Sequence, residues 1–235
     1  MSVAKKYPII EIYGPVIQGE GAVAGHQTMF VRFGGCDYRC SWCDSLYAVL
    51  PEEVKKNATF MTAEEIWQEV VRLGPHCPWV TLSGGNPAIH DLTELVRMLQ
   101  QRSKKKVCVE TQGSIFRMWL ADCDLVTLSP KPPSSGMETN WDVLDKCIEV
   151  CKLNAVLKVV VFDDRDFEYA KSVHLRYPAV PFYLQVGNSV GQDNAEALLR
   201  KLEWLWEKTI ADPDMADVVV LPQLHVLVYG NKRGI

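Results

Sequence analysis

No apolar run in this sequence approaches the length of a membrane span, which argues against a helical membrane protein. The opening stretch, Met1 to Pro8, lacks the apolar core of a secretory leader, so the chain is expected in the cytoplasm. There is no excess of positive charge either. The net charge is −4 with both signs spread along the chain, which gives no electrostatic footprint for nucleic acid or an anionic membrane. The one basic run, Lys104-Lys105-Lys106, has no aromatic residue interleaved and is expected to be a solvated helix end. Internal repeats, low-complexity tracts and linkers are absent, so residues 1–235 are expected to form one domain. What remains is a chain of 235 residues, 48% hydrophobic, long enough to bury a sizeable core.

Eight cysteines in a reducing compartment are not a disulfide framework, and a clustered subset of them points to metal chemistry. Cys36, Cys40 and Cys43 fall in one short stretch, Cys36-Asp-Tyr-Arg-Cys40-Ser-Trp-Cys43-Asp44. A four-iron cluster takes one ligand on each iron, so three thiolates from one loop leave the fourth iron open. Gly34-Gly35 just before the loop allow backbone angles and close approaches that a side chain forbids. The competing readings are three free thiols, or a zinc knuckle whose fourth ligand is Asp44 or the distant His26. Cys77, Cys108, Cys123, Cys147 and Cys151 stand mostly in apolar contexts and are expected to be buried small hydrophobes. The i,i+4 spacing of Cys147 and Cys151 leaves a second metal as the alternative.

Strands of four to eight residues alternate with helical segments of ten or more along most of the chain. Strands are expected at 28–33, 79–83, 107–110, 125–128, 155–162, 182–186 and 218–221. Thr62 with Glu65 three residues on is a capping box opening a helix that stops at Gly74-Pro75, and Asn140 caps another. Residues 51–60 look like a polar connecting insertion, and a short helix is expected around Ser114 to Leu120. This alternation predicts an α/β fold with a parallel sheet. Six βα units after the cysteine loop are too few for a closed eight-stranded barrel. The expectation is a partial, open TIM-like barrel of about six parallel strands.

Working residues of barrel-like α/β folds gather at the carboxyl ends of the strands. The unusual polar and glycine-containing stretches here fall at those ends: the cysteine loop, Ser83-Gly84-Gly85-Asn86-Pro87, Glu110-Thr-Gln-Gly113, Ser129-Pro130-Lys131 and Gln185-Val186-Gly187-Asn188. Gly84-Gly85 would let backbone come close to a ligand. Glu110 is either an acceptor for ribose hydroxyls or a salt-bridged strand end. Lys158, inside the apolar strand, is costly to bury unpaired; it is expected to snorkel to the surface, with an internal carboxylate partner as the alternative.

Together these stretches resemble the 7-carboxy-7-deazaguanine synthases, radical S-adenosylmethionine enzymes of the queuosine precursor pathway. The resemblance also covers Ile17-Gln18-Gly19-Glu20-Gly21, Phe30-Val-Arg32 and Leu221-Pro-Gln-Leu-His225, and runs nearly end to end. It implies a fold of the radical S-adenosylmethionine type, a [4Fe–4S] cluster on Cys36, Cys40 and Cys43, and cleavage of S-adenosylmethionine at the open iron. It implies hydrogen abstraction from 6-carboxy-5,6,7,8-tetrahydropterin, ring contraction and loss of ammonia. Trp42, Cys43, Asp44, Gly85, Ser129, Pro130, Lys131 and Gln185 to Asn188 would contact S-adenosylmethionine. Ile17, Gln18, Gly19, Arg32 and Ser83 would bind the pterin, with Arg32 paired to its carboxylate. Ser45, where the family usually has Thr, would bind Mg²⁺. Asn86 stands where radical enzymes of this class carry Glu in a Gly-Gly-Glu-Pro motif, leaving the cofactor's amino group to backbone carbonyls. A homodimer and an electron donor such as flavodoxin or ferredoxin are also implied. The nearest alternative is a glycyl-radical-enzyme activase, against which the Gln18 to Gly21 loop and Arg32 speak.

Overall fold

A computed structural model describes residues 4–189 and 193–234. The first three residues of the stretch read as lacking a leader lie outside that range. The chain opens with β1 (Lys6–Ile17), a 3₁₀ turn at Gly21–Val23, and β2 (Gln27–Phe33). After the cysteine loop come α1 (Leu46–Val49), α2 (Pro51–Asn57), β3 (Thr59–Thr62), α3 (Ala63–Leu73) and β4 (Trp79–Gly84). The alternation continues through α4 (Thr93–Ser103), β5 (Lys106–Thr111), β6 (Leu125–Leu128), α5 (Trp141–Cys151) and β7 (Ala155–Val161). It finishes with α6 (Asp164–Arg176), β8 (Phe182–Val186), α7 (Ala195–Ala211), β9 (Val219–Leu221) and α8 (Leu224–Tyr229).

The nine strands among the described residues form one sheet in the order β3-β1-β2-β4-β5-β6-β7-β8-β9, open at both edges. From β2 to β9 every neighbouring pair is parallel, while β1 runs antiparallel to β2 and β3. The parallel strands carry near-continuous apolar runs because both of their faces are covered. Val80, Leu82, Val107, Val109, Leu157, Val159 and Leu184 are all fully buried. Buried apolar side chains from Tyr7 to Met215 make one continuous core. The expected open α/β barrel is therefore found, with two antiparallel strands added at one edge.

Local sequence accounts for the differences from expectation. Residues 51–60 are not a plain connection: Pro51 opens α2, Glu52 and Glu53 occupy its first turn, and Lys55 and Lys56 its last. That charge order suits the helix dipole. β3 then pairs with β1. The capping box at Thr62 and Glu65 forms as read, and Asn140 accepts from Val143 N–H. In place of a helix from Ser114 there is a 3₁₀ segment at Met118–Asp122. Lys105 is not solvated like its neighbours; it is buried and donates to the carbonyls of Gly74 and Cys77, both at 2.7 Å. The five cysteines outside the loop are all buried. Among the described residues no helix is long and apolar enough to cross a membrane.

Candidate active site

β2 delivers the chain to the cysteine loop, and neighbouring backbone holds that loop from several sides. Gly35 N–H donates to Ala48 C=O at 2.7 Å, Ser41 N–H to Ser135 C=O at 2.9 Å, and Gly35 C=O accepts from Asn86 N–H at 2.8 Å. Gly35 has φ +100°, a left-handed conformation that favours glycine. A Cβ on Gly84 would collide with Phe33 C=O, and one on Gly85 with Gly35 C=O. The close approach is thus to the end of β2 for Gly84 and to the cysteine loop for Gly85; of the pair, Gly84 also reaches the cavity described below.

Asn86 is fully buried and spends its side chain on the protein. Its Oδ1 accepts from Thr111 Oγ1 at 2.7 Å and Ala88 N–H at 3.1 Å. Its Nδ2 donates to Asp37 Oδ1 at 2.8 Å and Ser114 Oγ at 3.3 Å. Gln112 Nε2 donates to the same Asp37 oxygen at 2.8 Å. Glu at position 86 would set two carboxylates against each other. Asn is what the acidic loop residue Asp37 requires.

The three loop thiols are each half-buried. Burial pushes the Cys43 thiol up to about 11, and neighbouring Cys40 and Cys36 add to the shift. Burial also raises Cys40, partly opposed by the Lys131 ammonium. Cationic iron is the natural offset for thiolates in such a place. Among the described residues no three His, Cys, Asp or Glu side chains converge on one point as a single ion requires. A four-iron cluster instead takes one thiolate per iron, so thiols spread along one loop fit it. His26 sits before β2, its ring 6.3 Å from Trp79 at the amino ends of the strands. A seven-residue strand, about 20 Å long, separates it from the cysteines, so it does not complete a zinc site.

Residues from the carboxyl ends of the parallel strands line a cavity of about 310 Å³ beside this loop. Arg32, Ser83, Glu110, Ser129, Lys131 and Asn188 come from successive strand ends, as the fold rule predicts. Trp42, Asp44 and Ser45 reach it from the cysteine loop, and Ile17, Gln18 and Gly19 from the end of β1. Cys43, Gly85, Pro130, Gln185, Val186 and Gly187 do not line it, nor do Cys36 and Cys40. Val186 belongs to the apolar core, and a Cβ on Gly187 would come 2.5 Å from the Phe162 ring. That ring lies 5.1 Å from Trp42, tilted 36°, and Lys131 Nζ stands 6.0 Å from the Trp42 ring centre. Among the described residues, Ser83 Oγ, Asn188 Oδ1 and Gln223 Oε1 of the lining are buried and unpaired; both amide atoms of Gln185, which is 1% exposed, are unpaired behind it. Unsatisfied buried polar atoms around one cavity are what a polar ligand would satisfy.

Lys158 does not snorkel. It is 4% exposed and donates to Glu20 Oε2 at 2.6 Å and Glu110 Oε2 at 3.1 Å inside the cavity. Glu110 is thus the salt-bridged strand end of the two alternatives. Gln18 Nε2 donates to Glu110 at 3.0 Å and Gln223 Nε2 to Glu20 at 2.8 Å. Burial alone would raise the Glu20 carboxyl; Lys158, His225 and Gln223 outweigh it and hold it at about 2. Lys158 is raised in turn, its two carboxylates overcoming the effect of burial.

Arg32 lies between the Tyr13 and Tyr47 rings, 5.9 and 5.8 Å away. Its Nε donates to Glu11 at 2.6 Å and its Nη2 to Tyr13 OH at 3.1 Å. Arg233 closes the same corner, 3.6 Å from the Tyr47 ring centre and 3.4 Å from Glu11 Oε2. Ser45 Oγ donates to Asp44 Oδ1 at 2.5 Å, so two oxygens stand together for a hard cation whose shell is completed by other ligands. Glu11, Tyr13, Tyr47, Phe162 and residues 230–234 also belong to the site, though no motif in the sequence marks them. Gln223 and His225, from the stretch Leu221 to His225, line the cavity as well.

The model of the Radical SAM superfamily matches residues 30–149. The 7-carboxy-7-deazaguanine synthase of Bacillus cereus is 48% identical over 237 residues, covering 98% of this chain and 99% of the relative. That of Bacillus subtilis is 46% identical over 244 residues, covering 99% and 100%. The crystal structure of QueE from Escherichia coli superposes with a TM-score of 0.72 over 94% of this chain and 95% of that one, at 23% identity. The chain belongs to the 7-carboxy-7-deazaguanine synthase family of radical S-adenosylmethionine enzymes.

Proposed function

We propose that the chain converts 6-carboxy-5,6,7,8-tetrahydropterin to 7-carboxy-7-deazaguanine with loss of ammonia, as a carbon–nitrogen lyase of queuosine and 7-deazapurine biosynthesis. The observation that carries this reading is near-half identity to such synthases over the full length of both chains. The family's cofactors are a [4Fe–4S] cluster, S-adenosylmethionine and Mg²⁺. When bound, cluster and S-adenosylmethionine supply hydrogen-atom abstraction from the substrate carbon.

The chain's own residues hold and orient. Cys36, Cys40 and Cys43 would carry the cluster. Trp42 to Asp44, Gly85, Ser129 to Lys131 and Gln185 to Asn188 would hold S-adenosylmethionine. Ile17 to Gly19, Arg32 and Ser83 would hold the pterin. Arg32 gives Nε–H to Glu11 and one Nη2 hydrogen to Tyr13, so Nη1 and the second Nη2 hydrogen are left for a substrate carboxylate. The buried Lys158 pair with Glu20 and Glu110 supplies fixed dipoles on the floor, and enclosure keeps water from the reacting carbon. Asp44 and Ser45 would offer oxygens to Mg²⁺. The enzyme would work as a cytoplasmic homodimer fed by flavodoxin or ferredoxin.

Anaerobic reconstitution with iron and sulfide, then incubation with the carboxytetrahydropterin, dithionite and S-adenosylmethionine, tests this reading. A deazapurine product is expected, with a greater yield when Mg²⁺ is added. Reductive cleavage of S-adenosylmethionine without any deazapurine would sink the assignment.

A further inference from the structure

Asp166 is a fully buried carboxylate with no ion-pair partner among the described residues. A buried charge of this kind is costly unless several donors hold it. Asp166 has three: Ser134 N–H at 3.0 Å, Ser134 Oγ at 2.6 Å and Phe162 N–H at 3.0 Å. It sits in the first turn of α6, where the helix dipole also favours an anion. α6 itself is capped by Asp163, which accepts from Asp166 N–H at 3.0 Å. The helix start therefore does not need the Asp166 side chain.

Both residues it grips lead to the cavity. Ser134 has one hydroxyl proton and gives it to Asp166, so its lone pairs are left to accept the Trp42 indole N–H, at 2.9 Å. Ser134 C=O accepts from Ser41 Oγ at 2.6 Å, which ties down the residue between Cys40 and Trp42. Phe162 is held directly through its backbone, and its ring leans on Trp42 with the bare Gly187 behind it. One carboxylate thus sets both rings of an aromatic corner in the cavity wall. Flat aromatic faces in a polar cavity suit a nucleobase, which stacks without needing specific edge contacts.

We propose that Asp166 is a positioning residue: through Ser134 and Phe162 it fixes the Trp42–Phe162 corner that receives the planar base of S-adenosylmethionine. This rests on the radical S-adenosylmethionine reading above. In the anaerobically reconstituted enzyme, Ser134→Ala and Asp166→Asn each raise the Kd for S-adenosylmethionine about tenfold, the scale of one lost hydrogen bond to a charged group. Cluster content stays at the wild-type level in both. The double variant is no weaker than the weaker single one, because the two residues act along one chain of bonds. Ser134→Thr, which keeps the hydroxyl, binds within about twofold of wild type by the same argument.

A Kd for Ser134→Ala within twofold of wild type overturns the proposal, as do fully additive losses in the double variant. Were Asp166→Asn not to fold, the contrast between Ser134→Ala and Ser134→Thr would decide. Failure of the wild-type, iron-replete protein to bind S-adenosylmethionine would overturn the broader reading as well, whereas binding unaffected by these variants removes only the role of Asp166.

Discussion

At the scale of single residues, position 86 shows how a departure from a familiar motif is absorbed. Asn86 saturates its four hydrogen bonds on Asp37, Ser114, Thr111 and Ala88. The prediction is that Asn86→Glu, which sets a buried carboxylate against that of Asp37, lowers cluster content and turnover at least about tenfold. Asp37→Asn in the same chain restores much of both, and iron analysis beside the turnover assay reads the rescue. Ser45 is a milder case. Ser45→Ala is expected to leave cleavage of S-adenosylmethionine intact while lowering product and its Mg²⁺ dependence; a Mg²⁺ response equal to wild type removes Ser45 from the metal site. Cys40→Ala abolishes turnover, checked by the same assay with iron content measured in parallel.

Lys158 marks where residue-level reasoning stopped short. In a strand of continuous apolar residues both faces are covered, so alternation does not reveal which side chains point inward. Glu20, 138 positions away, was not visible as its partner until the fold brought the two to 2.6 Å. The pair has a pH signature. Glu20's carboxyl, ordinarily near 4.5, is held at about 2 in the folded chain. Its contribution to stability is complete above pH 4.5 and is lost as pH falls from there toward 2. Thermal unfolding followed across that window should show a smaller pH dependence for Glu20→Gln than for wild type.

At the scale of elements, the strand ends were legible and the turns between them only partly so. Carboxyl-end stretches supplied Arg32, Ser83, Glu110, Ser129 and Lys131 to one cavity, because the fold rule depends only on strand order and direction. The function of the glycines was harder to see. Gly84 serves close contact with Phe33 of β2, Gly85 contact with the cysteine loop, and Gly187 makes room for Phe162, steric demands that exist only once the chain is folded. Gly187→Ala is predicted to drive Phe162 toward Trp42 and weaken S-adenosylmethionine binding about tenfold with cluster content unchanged, as read by a binding titration on the reconstituted enzyme. α2 escaped notice because its polar sequence has no buried face; none of its residues is buried.

At the scale of the whole molecule, the parallel order of the sheet was inferable from alternating strands and helices, whereas the antiparallel edge formed by β1 and β3 was not. Alternation signals crossovers, and β1 reaches β2 by a short turn. Nor did any local pattern announce that the two ends of the chain would meet. Gly19 C=O accepts from Leu224 N–H at 3.1 Å, and Gln223 reaches Glu20 across 203 positions. Gly19 has no side chain where His225 packs; a Cβ there would collide with the imidazole. This junction carries a consequence for timing. Contacts so distant in sequence are slow to find one another, while the loop around Cys36 to Cys43 takes its partners from Asn86, Gln112 and residues 134–138, none more than 100 positions away. During refolding the cluster loop should acquire its shape first and the floor around Glu20 and Lys158 last. The protein then passes through an interval in which it can take up iron before it can hold a pterin.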